Sequence, residues 1–466
     1  MAIFGIAKAE QKLVTRAKKL GIKTTPRELF SKFESEFEHT FLLESAKGES
    51  RLAEYSFIGF EPSKLITVKN GTVDLLDTVT GERVRTATRE PFFELRRLVN
   101  SNPFTGPFRF IGGAVGFVSY DAIRYWEKLP EIANDDLHAP DLEFGIFNDG
   151  IVFDHASGEI FYHWVGENRL ESVIRASKLN HQSGGVETTT PKSSISEEKF
   201  GEMVVRAKDY IASGDIFQVV LSKRYEFELH GDWMKFYSVL SRVNPSPYMY
   251  FLKFGERRVI GSSPEMLVRV EKGRVETFPI AGTRPHASNP DKNAQLTRDL
   301  LSDPKERAEH VMLVDLARND IGRVSKFGSV RVPELITVQQ FSHVQHIVSH
   351  VIGALRSEHD SFDALRALFP AGTVSGAPKP RAMEVIEELE PVRRGPYAGA
   401  VGYFSFNGNA DFAITIRTLV ADGKRCSIQT GAGIVADSSP EREWMETESK
   451  AEALMRSLEI SSGARR

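Results

Sequence analysis

The sequence predicts an α+β protein in which large antiparallel sheets form a sandwich-like core and helices pack outside it. Short apolar segments are separated by Asn-Gly and Asp-Gly pairs, as at Asn70–Gly71 and Asp422–Gly423, which are typical of hairpin turns. Helical patterns are fewer and longer, and they flank these strand-rich regions. With 41% hydrophobic and 26% charged residues, the chain has the composition of a globular protein.

The first 180 residues are rich in predicted strands. Helices are expected over 26–35 and 91–99, and a short buried strand over 39–45. Residues 63–77 form a hairpin about Asn70–Gly71, and the segment from 108 to 129 runs from a strand into a helix. Residues 142–165 are expected to form a meander with turns at Asp149–Gly150 and Ser157–Gly158.

A polar, Gly/Ser/Thr-rich stretch without apolar periodicity covers residues 180–196. It predicts an exposed linker over 181–196 between an N-terminal domain, residues 1–180, and a larger C-terminal domain, residues 197–466. A chain of 466 residues is long enough for two cores.

The C-terminal part is expected to alternate hairpin-rich sheet with helices at 197–213, 303–321, 378–390 and 440–458. The helix at 303–321 has a clear start, because Asp303 suits an N-cap and Pro304 the first helical position. Strands are expected at 215–229, at 329–341 and between 397 and 436.

Acidic residues recur at helical spacing in two of these helices. Glu306 and Glu309 lie three residues apart, and Glu443, Glu446 and Lys450 follow the spacing i, i+3, i+7. If the helices meet, up to four carboxylates converge, and oxygen ligands of this kind suit Mg²⁺. The alternative is that both faces are solvated and that Glu446 and Lys450 form an ordinary ion pair.

The net charge, the cysteine count and the lengths of the apolar stretches exclude several classes of protein. A net charge of −3 argues against a nucleic-acid or membrane-surface role that depends on bulk charge. With Cys426 as the single cysteine, there is no disulfide framework and no multi-cysteine metal site. The N-terminal residues lack the pattern of a signal peptide, and no apolar stretch is long enough for a membrane helix, so we expect a soluble, cytoplasmic protein.

Several long motifs carry a resemblance to a known family. They are PIAGTRP (279–285), DPKERAEHVMLVDLARNDIGRV (303–324), FPAGTVSGAPKPRAMEVIEELEP (369–391), GYFSFNG (402–408) and IQTGAGIVADSSPEREWMETESKAEAL (428–454). These segments closely resemble the chorismate-utilising enzymes, and within that family the members that make anthranilate. HTFLLES, YSFIGFEP and GGAVGFVSYDAIRYWEKLP extend the resemblance over nearly all of residues 25–460.

The resemblance implies a Mg²⁺ cofactor and a set of substrate-binding residues. Glu309 and Glu446 correspond to the metal pair, with Glu306 and Glu443 in an outer layer. Mg²⁺ would then face a ring carboxylate of the substrate. The residues expected to bind the two carboxylates and the ring of chorismate are Gly282, Thr283, Tyr397, Arg417, Gly431, Ala432, Gly433 and Lys450. Taken one at a time, an exposed strand arginine, a core tyrosine or glycines ending a strand would be the simpler interpretation.

Three further residues are implied to act in the reaction. Glu265 corresponds to the acid/base that handles loss of the ring hydroxyl, although alone it would be read as a strand-edge glutamate. His346 corresponds to a residue that helps the elimination step, by orientation or acid–base work, although a histidine among Val and Ile is usually a core residue. Its i,i+4 spacing to His350 is not taken as a transition-metal site, since no supporting carboxylates follow it.

Two positions separate the members of the family. Water-adding relatives carry a lysine where Gln218 stands, and aminodeoxychorismate-forming relatives carry one where Ala281 stands. A glutamine cannot act as a base, so ammonia, which is already nucleophilic, fits better than water. The resemblance therefore implies that chorismate and ammonia give anthranilate and pyruvate, the first step of tryptophan biosynthesis. The alternatives are an aminodeoxychorismate-forming enzyme and a non-catalytic, tryptophan-sensing scaffold subunit.

The resemblance also implies a partner and an inhibitor. No glutaminase-like nucleophile is evident, because Cys426 has no nucleophile-elbow context, so ammonia is expected from a glutamine amidotransferase subunit. LLES (42–45) and NPSPYMY (244–250) resemble a feedback site for tryptophan. There Ser45, Pro247, Tyr248 and Met249 are expected to lie between the two domains and to couple tryptophan binding to activity.

Overall fold

The computed structural model describes residues 13–45, 54–100, 104–180, 183–287, 289–340 and 344–463. Within these ranges the helices are α1 (Pro26–Glu36), α2 (Phe93–Asn100), α3 (Leu170–Ser177), α4 (Glu197–Ala212), α5 (Trp233–Val243), α6 (Pro290–Ser302), α7 (Pro304–Gly322), α8 (Ser361–Leu368), α9 (Lys379–Leu389) and α10 (Pro440–Ser462), with 3₁₀ helices at Tyr120–Tyr125 and Gly372–Val374. Among the residues described, no helix is long and apolar enough to cross a membrane.

The strands up to residue 193 are β1 (Leu13–Val14), β2 (Arg16–Lys19), β3 (His39–Glu44), β4 (Tyr55–Phe60), β5 (Lys64–Lys69), β6 (Thr72–Asp77), β7 (Arg83–Ala87), β8 (Phe104–Thr105), β9 (Gly113–Val118), β10 (Leu142–Phe147), β11 (Asp149–Asp154), β12 (Glu159–Trp164), β13 (Val186–Thr188) and β14 (Lys192–Ser193). The later strands are β15 (Gln218–Gly231), β16 (Tyr248–Phe254), β17 (Arg257–Ser263), β18 (Met266–Glu271), β19 (Arg274–Thr277), β20 (Ile280–Pro285), β21 (Arg331–Gln340), β22 (Val344–Ala354), β23 (Gly376–Ala377), β24 (Ala400–Ser405), β25 (Ala410–Ile414), β26 (Thr418–Asp422) and β27 (Arg425–Ile434).

Two large antiparallel sheets organise the described part of the chain, which confirms the predicted fold class. Sheet I runs in the order β20-β22-β19-β18-β25-β24-β9-β10-β5-β6-β7, with β21 also paired to β22. Sheet II runs in the order β13-β15-β27-β26-β17-β16-β3-β4-β11-β12-β2, with β14 and β23 also paired to β15. Each sheet has two faces to bury. One face of each sheet packs against the other sheet through side chains, and the outer face is covered by helices.

An aromatic cluster fills the space between the sheets. Phe41, Phe57 and Tyr250 from sheet II pack with Phe117 and Tyr403 from sheet I. Helices α2 and α8 and part of α7 cover the outer face of sheet I, whereas α1, α3, α5 and α10 cover that of sheet II. A further cluster packs α4 and α9 against β15 and β27. The sandwich is therefore the rigid base on which α7 and α10 are mounted.

Both sheets combine strands from either side of the predicted linker. In sheet I, β9 pairs with β24, and in sheet II, β3 pairs with β16. The two-domain division stays a prediction, but the two halves share their sheets. The predicted linker also contributes two short strands, β13 and β14, which pair with β15, while its residues 181 and 182 lie outside the described ranges.

Most predicted elements have the expected position. The hairpin between β5 and β6 turns at Asn70 and Gly71, which have φ of 48° and 73°, as a two-residue turn of type I′ requires. The predicted meander over 142–165 is wrong in one respect. Asp149 and Gly150 do not form a turn but begin β11; β10 belongs to sheet I and β11 to sheet II, so the chain crosses between the sheets at Asn148.

The aromatic packing outside sheet I predicts the effect of one substitution. Phe404 in β24 is fully buried, and its ring stacks on Phe362 of α8 with centroids 3.8 Å apart. Replacing Phe404 by Ala should lower the free energy of unfolding by about 3–5 kcal/mol, through lost burial and the cavity left behind.

Denaturant unfolding followed by tryptophan fluorescence measures this change. Phe327→Ala is the matched control, since Phe327 is fully exposed and should change the free energy of unfolding by at most about 0.5 kcal/mol. Equal effects of the two substitutions would contradict the assignment of Phe404 to the core.

Candidate active site

Helix α7 presents two carboxylates to a cleft beside sheet I. The Asp303 side chain caps the helix by accepting the backbone N–H groups of Lys305 and Glu306, at 3.0 and 3.2 Å. Glu309 accepts a hydrogen bond from the side-chain amide of Gln218 at the start of β15, at 3.2 Å. Burial raises the pKa of Glu309, and the charges of Glu306 and Glu446 raise it further.

Helix α10 presents the second acidic set to the same cleft. Glu443 is buried, with a pKa that is raised by burial and by the charge of Glu446. Lys450 forms an ion pair with Glu446 at 2.7 Å and donates to the carbonyl oxygen of Gly431 at 2.9 Å. Because the charge of Glu446 acts on Glu309, the acidic faces of α7 and α10 point toward each other.

The donor set of this cleft fits a hard divalent cation. The charges of neighbouring carboxylates on the two helices raise the pKa of Glu309 and of Glu443, and a cation would relieve that repulsion. In the described ranges no three His, Cys, Asp or Glu side chains lie close enough to form a closed protein cage. Mg²⁺, which usually takes one or two carboxylates together with substrate oxygens and water, does not need one.

Glu265 lies deeper in the cleft, in the two-residue connection between β17 and β18. It is 9% exposed, and its carboxylate accepts a hydrogen bond from the Thr373 hydroxyl at 2.9 Å. Burial raises the pKa of Glu265 to about 7, although Thr373 and the charges of Lys450 and Arg417 each act to lower it. A carboxyl group with this pKa can hold a proton near neutral pH and release it.

Arg417 faces Glu265 from the connection between β25 and β26. The prediction that it sits on a strand is wrong, because Arg417 has a φ of 51° and follows the end of β25. A positive φ is uncommon for a residue with a side chain, and it is held here by the Arg417 carbonyl, which accepts the N–H of Ser262 at 3.2 Å. Burial lowers the pKa of Arg417, and the nearby Glu265 raises it.

The glycine-rich segment lies within strand β27. Gly431, Ala432 and Gly433 are all paired with β15. A Cβ on Gly431 would stand 2.7 Å from the Tyr397 hydroxyl, and one on Gly433 would stand 2.7 Å from the Gln218 amide nitrogen. The small residues therefore leave room for these two side chains. The hydroxyl pKa of Tyr397 is raised by burial, so the group is a neutral donor.

His346 is oriented by the neighbouring strand β20. Its Nδ1–H donates to the Gly282 carbonyl oxygen at 2.9 Å and lies 3.1 Å from the Thr283 hydroxyl, which leaves Nε2 as the basic nitrogen. Burial lowers the pKa of His346, and the charge of Arg417 lowers it further. His350 is engaged elsewhere, with Glu276 at 3.0 Å, so the two histidines form no metal pair.

Hydrogen bonds and charge effects thus link the expected catalytic, substrate and metal residues within one region of the structure. Thr373 was not singled out from the sequence, although it lies inside the quoted motif FPAGTVSG; only its contact with Glu265 identifies it. Arg284, also missed, pairs with Asp303 and Glu306 at 2.8 and 3.0 Å and partly neutralises the start of α7.

The four residues expected to bind an inhibitor lie in a different place. Met249 pairs with Glu44, so Ser45 follows at the next position of the β3–β16 pair, beside Tyr248. The Tyr248 hydroxyl donates to Asp411 at 2.9 Å and accepts from Arg269 at 3.3 Å. Pro247 and Met249 are buried next to it.

Beside these residues lies a cavity of about 190 Å³ that is largely charged. Its lining residues are Glu54, Arg109, Arg269, Glu271, Arg274, Glu276, Phe278 and His350. Arg269 connects the cavity to Tyr248, and His350 lies on the same strand as His346, four residues away.

Known proteins resemble this chain over nearly its whole length. The family model described as chorismate binding enzyme matches residues 38–456. Anthranilate synthase component 1 of Methanothermobacter marburgensis is 50% identical over 459 residues, which cover 98% of this chain and 97% of that protein. Its counterpart in Acetivibrio thermocellus is 45% identical and covers 93% of each chain.

Solved structures agree with the sequence comparison. The crystal structure of anthranilate synthase component I from Streptococcus pneumoniae is 39% identical, with a TM-score of 0.77, and the match covers 87% of this chain and 92% of that one. The isochorismate synthase MenF of Escherichia coli is 19% identical with a TM-score of 0.71, a likeness of fold alone.

The Thr373–Glu265 hydrogen bond predicts a measurable pKa change. Thr373→Val keeps the side-chain volume but removes the donor that lowers the pKa of Glu265, so this pKa should rise above about 7. The protonated carboxyl band in the infrared spectrum, followed against pH, would report the shift.

Glu265→Gln is the control for that measurement, because the part of the band that belongs to Glu265 should vanish, whereas the part that belongs to Asp121, whose pKa burial raises to about 6, should remain. If the titration of Thr373→Val matched that of the unsubstituted protein, the hydrogen bond would have no influence on Glu265.

Proposed function

Because the chain belongs to the chorismate binding enzyme family, we propose that it converts chorismate and ammonia into anthranilate and pyruvate. One observation carries this proposal. A buried carboxyl group, Glu265, with a pKa near 7, shares a cleft with two cationic side chains and with the facing acidic helices α7 and α10. Such a site suits a dianionic substrate that must lose a hydroxyl group.

The cationic side of the cleft binds the substrate. Chorismate carries two carboxylates, and Arg417 and Lys450 supply positive charge on either side of Glu265. Tyr397 contributes a neutral donor next to Gly431, and Thr283 adds a hydroxyl beside His346. Guanidinium and hydroxyl donors held by packed strands fix the chorismate ring in one orientation. Holding the ring in place lowers the entropic cost of bringing it together with ammonia.

The acidic residues of α7 and α10 would hold Mg²⁺. Glu309 and Glu446 would be the ligands, and Glu306 and Glu443 would form an outer layer. When bound, the cation supplies positive charge that attracts a substrate carboxylate into an otherwise repulsive cleft. Lys450, which pairs with Glu446 at 2.7 Å, is then available to the substrate.

Glu265 is the general acid of the first step. A bond forms between ammonia nitrogen and the ring carbon beside the carboxylate, the ring double bonds shift, and the C–O bond of the hydroxyl breaks. The hydroxyl leaves as water with the proton of Glu265, and the nitrogen, which becomes an ammonium group as its bond forms, releases one proton to solvent. At neutral pH a carboxyl with a pKa near 7 is protonated in a large fraction of the molecules, and it is still acidic enough to transfer its proton to the leaving hydroxyl.

His346 serves the second step. The ring carbon that bears nitrogen loses its proton as the C–O bond to the enolpyruvyl group breaks, and pyruvate and an aromatic ring result. His346 accepts that proton at Nε2, because its Nδ1–H is held by the Gly282 carbonyl and its lowered pKa keeps the ring neutral.

Gln218 favours ammonia over water as the nucleophile, and Ala281 favours anthranilate over aminodeoxychorismate as the product. The Gln218 amide donates to Glu309 and lies against Gly433, where it has no basic lone pair with which to activate water. Ala281 on β20 offers no amine to the cleft. Ammonia is supplied by a separate glutamine amidotransferase subunit, since Cys426 is buried and its thiol pKa is raised to about 12 by burial.

The test mixes the purified chain with chorismate, Mg²⁺ and an ammonium salt and follows anthranilate fluorescence. Product is expected with ammonium, but glutamine alone should give none. Removing the divalent cation with a chelator should abolish the signal, and adding Mg²⁺ should restore it. Release of aminodeoxychorismate without pyruvate, or no product at all, would contradict the proposal.

Glu265→Gln is the matched variant for the same assay. Loss of the acid should lower kcat by roughly 10²–10⁴-fold while chorismate still binds. In the unsubstituted protein the first step should slow as the pH rises through about 7, because the folded protein then loses the Glu265 proton.

We also propose that tryptophan binds beside Ser45, Pro247, Tyr248 and Met249 and lowers activity. The cavity lined by Arg269 and His350 adjoins these residues. His350 and His346 lie four residues apart on β22, or roughly 13 Å at the rise of a strand, so a shift at one end of this strand reaches the other.

Tryptophan titration checks this second proposal. Tryptophan is expected to inhibit the ammonium-dependent reaction, and Met249→Ala, which enlarges the buried site, should weaken inhibition at least about tenfold with little change in uninhibited kcat. If tryptophan inhibited Met249→Ala as strongly as the unsubstituted protein, tryptophan would have to bind at another site.

A further inference from the structure

A small cavity lies behind Glu265. It has a volume of about 40 Å³, and α7, the 3₁₀ helix Gly372–Val374 and the strands β18 and β19 surround it. Glu265, Thr373, Thr277 and Asp320 supply polar side chains to its wall. Its remaining lining residues are Met266, Leu267, Pro279, Leu313, Leu316, Ala317, Leu368, Ala371, Gly372 and Ile414.

The cavity shares only part of the candidate site. Glu265 and Thr373 are the two residues that line the cavity and also belong to the candidate site, and Arg417, His346 and Lys450 take no part in its wall. Glu265 therefore contacts both the charged candidate site and the smaller space beneath α7.

The outer end of the cavity reaches the protein surface. Leu316, Ala317, Ala371 and Gly372 are each partly exposed. Asp320 is fixed on this side by an ion pair with Lys379 at 2.9 Å. A water molecule needs only about 10–15 Å³ of such space and two to four polar partners, so both room and partners are present.

The chemistry at Glu265 creates a need for such a space. In each turnover the carboxyl gives its proton to the departing hydroxyl, which becomes water, and the carboxylate must regain a proton before the next cycle. The second step then keeps the ring and pyruvate in the cleft, so the cleft side is occupied while Glu265 is deprotonated.

We propose that this cavity holds water that returns a proton to Glu265 between turnovers and takes up the water formed from the hydroxyl. The inference rests on the proposed function, because it assigns a route to the acid of that reaction. One solvent proton binds the Glu265 carboxylate per turnover, which balances the proton that the new ammonium group releases to solvent, and one water leaves past Leu316 and Ala317.

Ala317→Leu tests the route, since three added carbons on α7 narrow its outer end. A rapid-mixing experiment with chorismate, Mg²⁺ and ammonium, run at a pH below about 7 so that Glu265 starts protonated, should show a first turnover at the unsubstituted rate. Later turnovers should slow by about tenfold or more, which gives a burst of one anthranilate per chain. The KM for chorismate should not change. Ala371→Val, on the opposite rim, should produce the same burst.

Ala212→Leu is the matched control, an exposed alanine on α4 outside the cavity, and it should show no burst. A first turnover that slows as much as later ones, or no slowing in either rim variant, would overturn the route. A raised KM for ammonium without a burst would also overturn it, because the cavity would then conduct ammonia. Failure of the proposed function is distinct, since the unsubstituted chain would then form no anthranilate.

Discussion

The burial of a single carboxyl group, Glu265, is the constraint on which the candidate site depends. An isolated carboxylate in a poorly solvated place favours its protonated form, and the one neutral hydroxyl of Thr373 offsets only part of this effect. Arg417 and Lys450 are near enough to lower the pKa without bringing it to its usual range. As a result, the Glu265 carboxyl keeps its proton up to a pH near neutrality, although the cationic side chains around it attract anions.

The sandwich places the parts of this cleft at fixed positions. Glu265 lies in the connection that leads from β17 of sheet II to β18 of sheet I, and His346 lies on β22 of sheet I. Sheet II supplies Gln218 on β15 and the glycine-rich part of β27. Strands of both sheets therefore have to pack correctly before the carboxyl and its cations can meet. Helices α7 and α10 then add an acidic wall whose mutual repulsion is offset by a cation in the proposed function.

Local signals in the sequence predicted much of this structure. Asp303 with Pro304 marked the start of α7, and the spacing of Glu443, Glu446 and Lys450 gave one face of α10, because capping and helical periodicity are set by neighbouring residues. The left-handed Arg417 and the crossing between sheets at Asn148 were not predictable in this way. Both are imposed by pairing with strands far away in the chain, which no local pattern encodes.

The site residues came from the resemblance of long motifs rather than from spacing. Spacing alone left Glu309 and Glu446 compatible with solvated helix faces. The structure shows that Glu309 is partly buried and bonded to Gln218, whereas Glu446 is exposed and forms the ion pair with Lys450 that the alternative predicted. Thr373 was missed for the same reason, since a threonine in a turn carries no signal until its hydroxyl is seen to meet a buried carboxylate.

The most direct measurement is a crystal structure of the Glu265→Gln variant grown with chorismate and Mg²⁺. Our account predicts a cation between Glu309 and Glu446, and unreacted chorismate with one carboxylate toward that cation and its ring hydroxyl at position 265. Chorismate bound away from Arg417, or a cation that avoids α7 and α10, would contradict it.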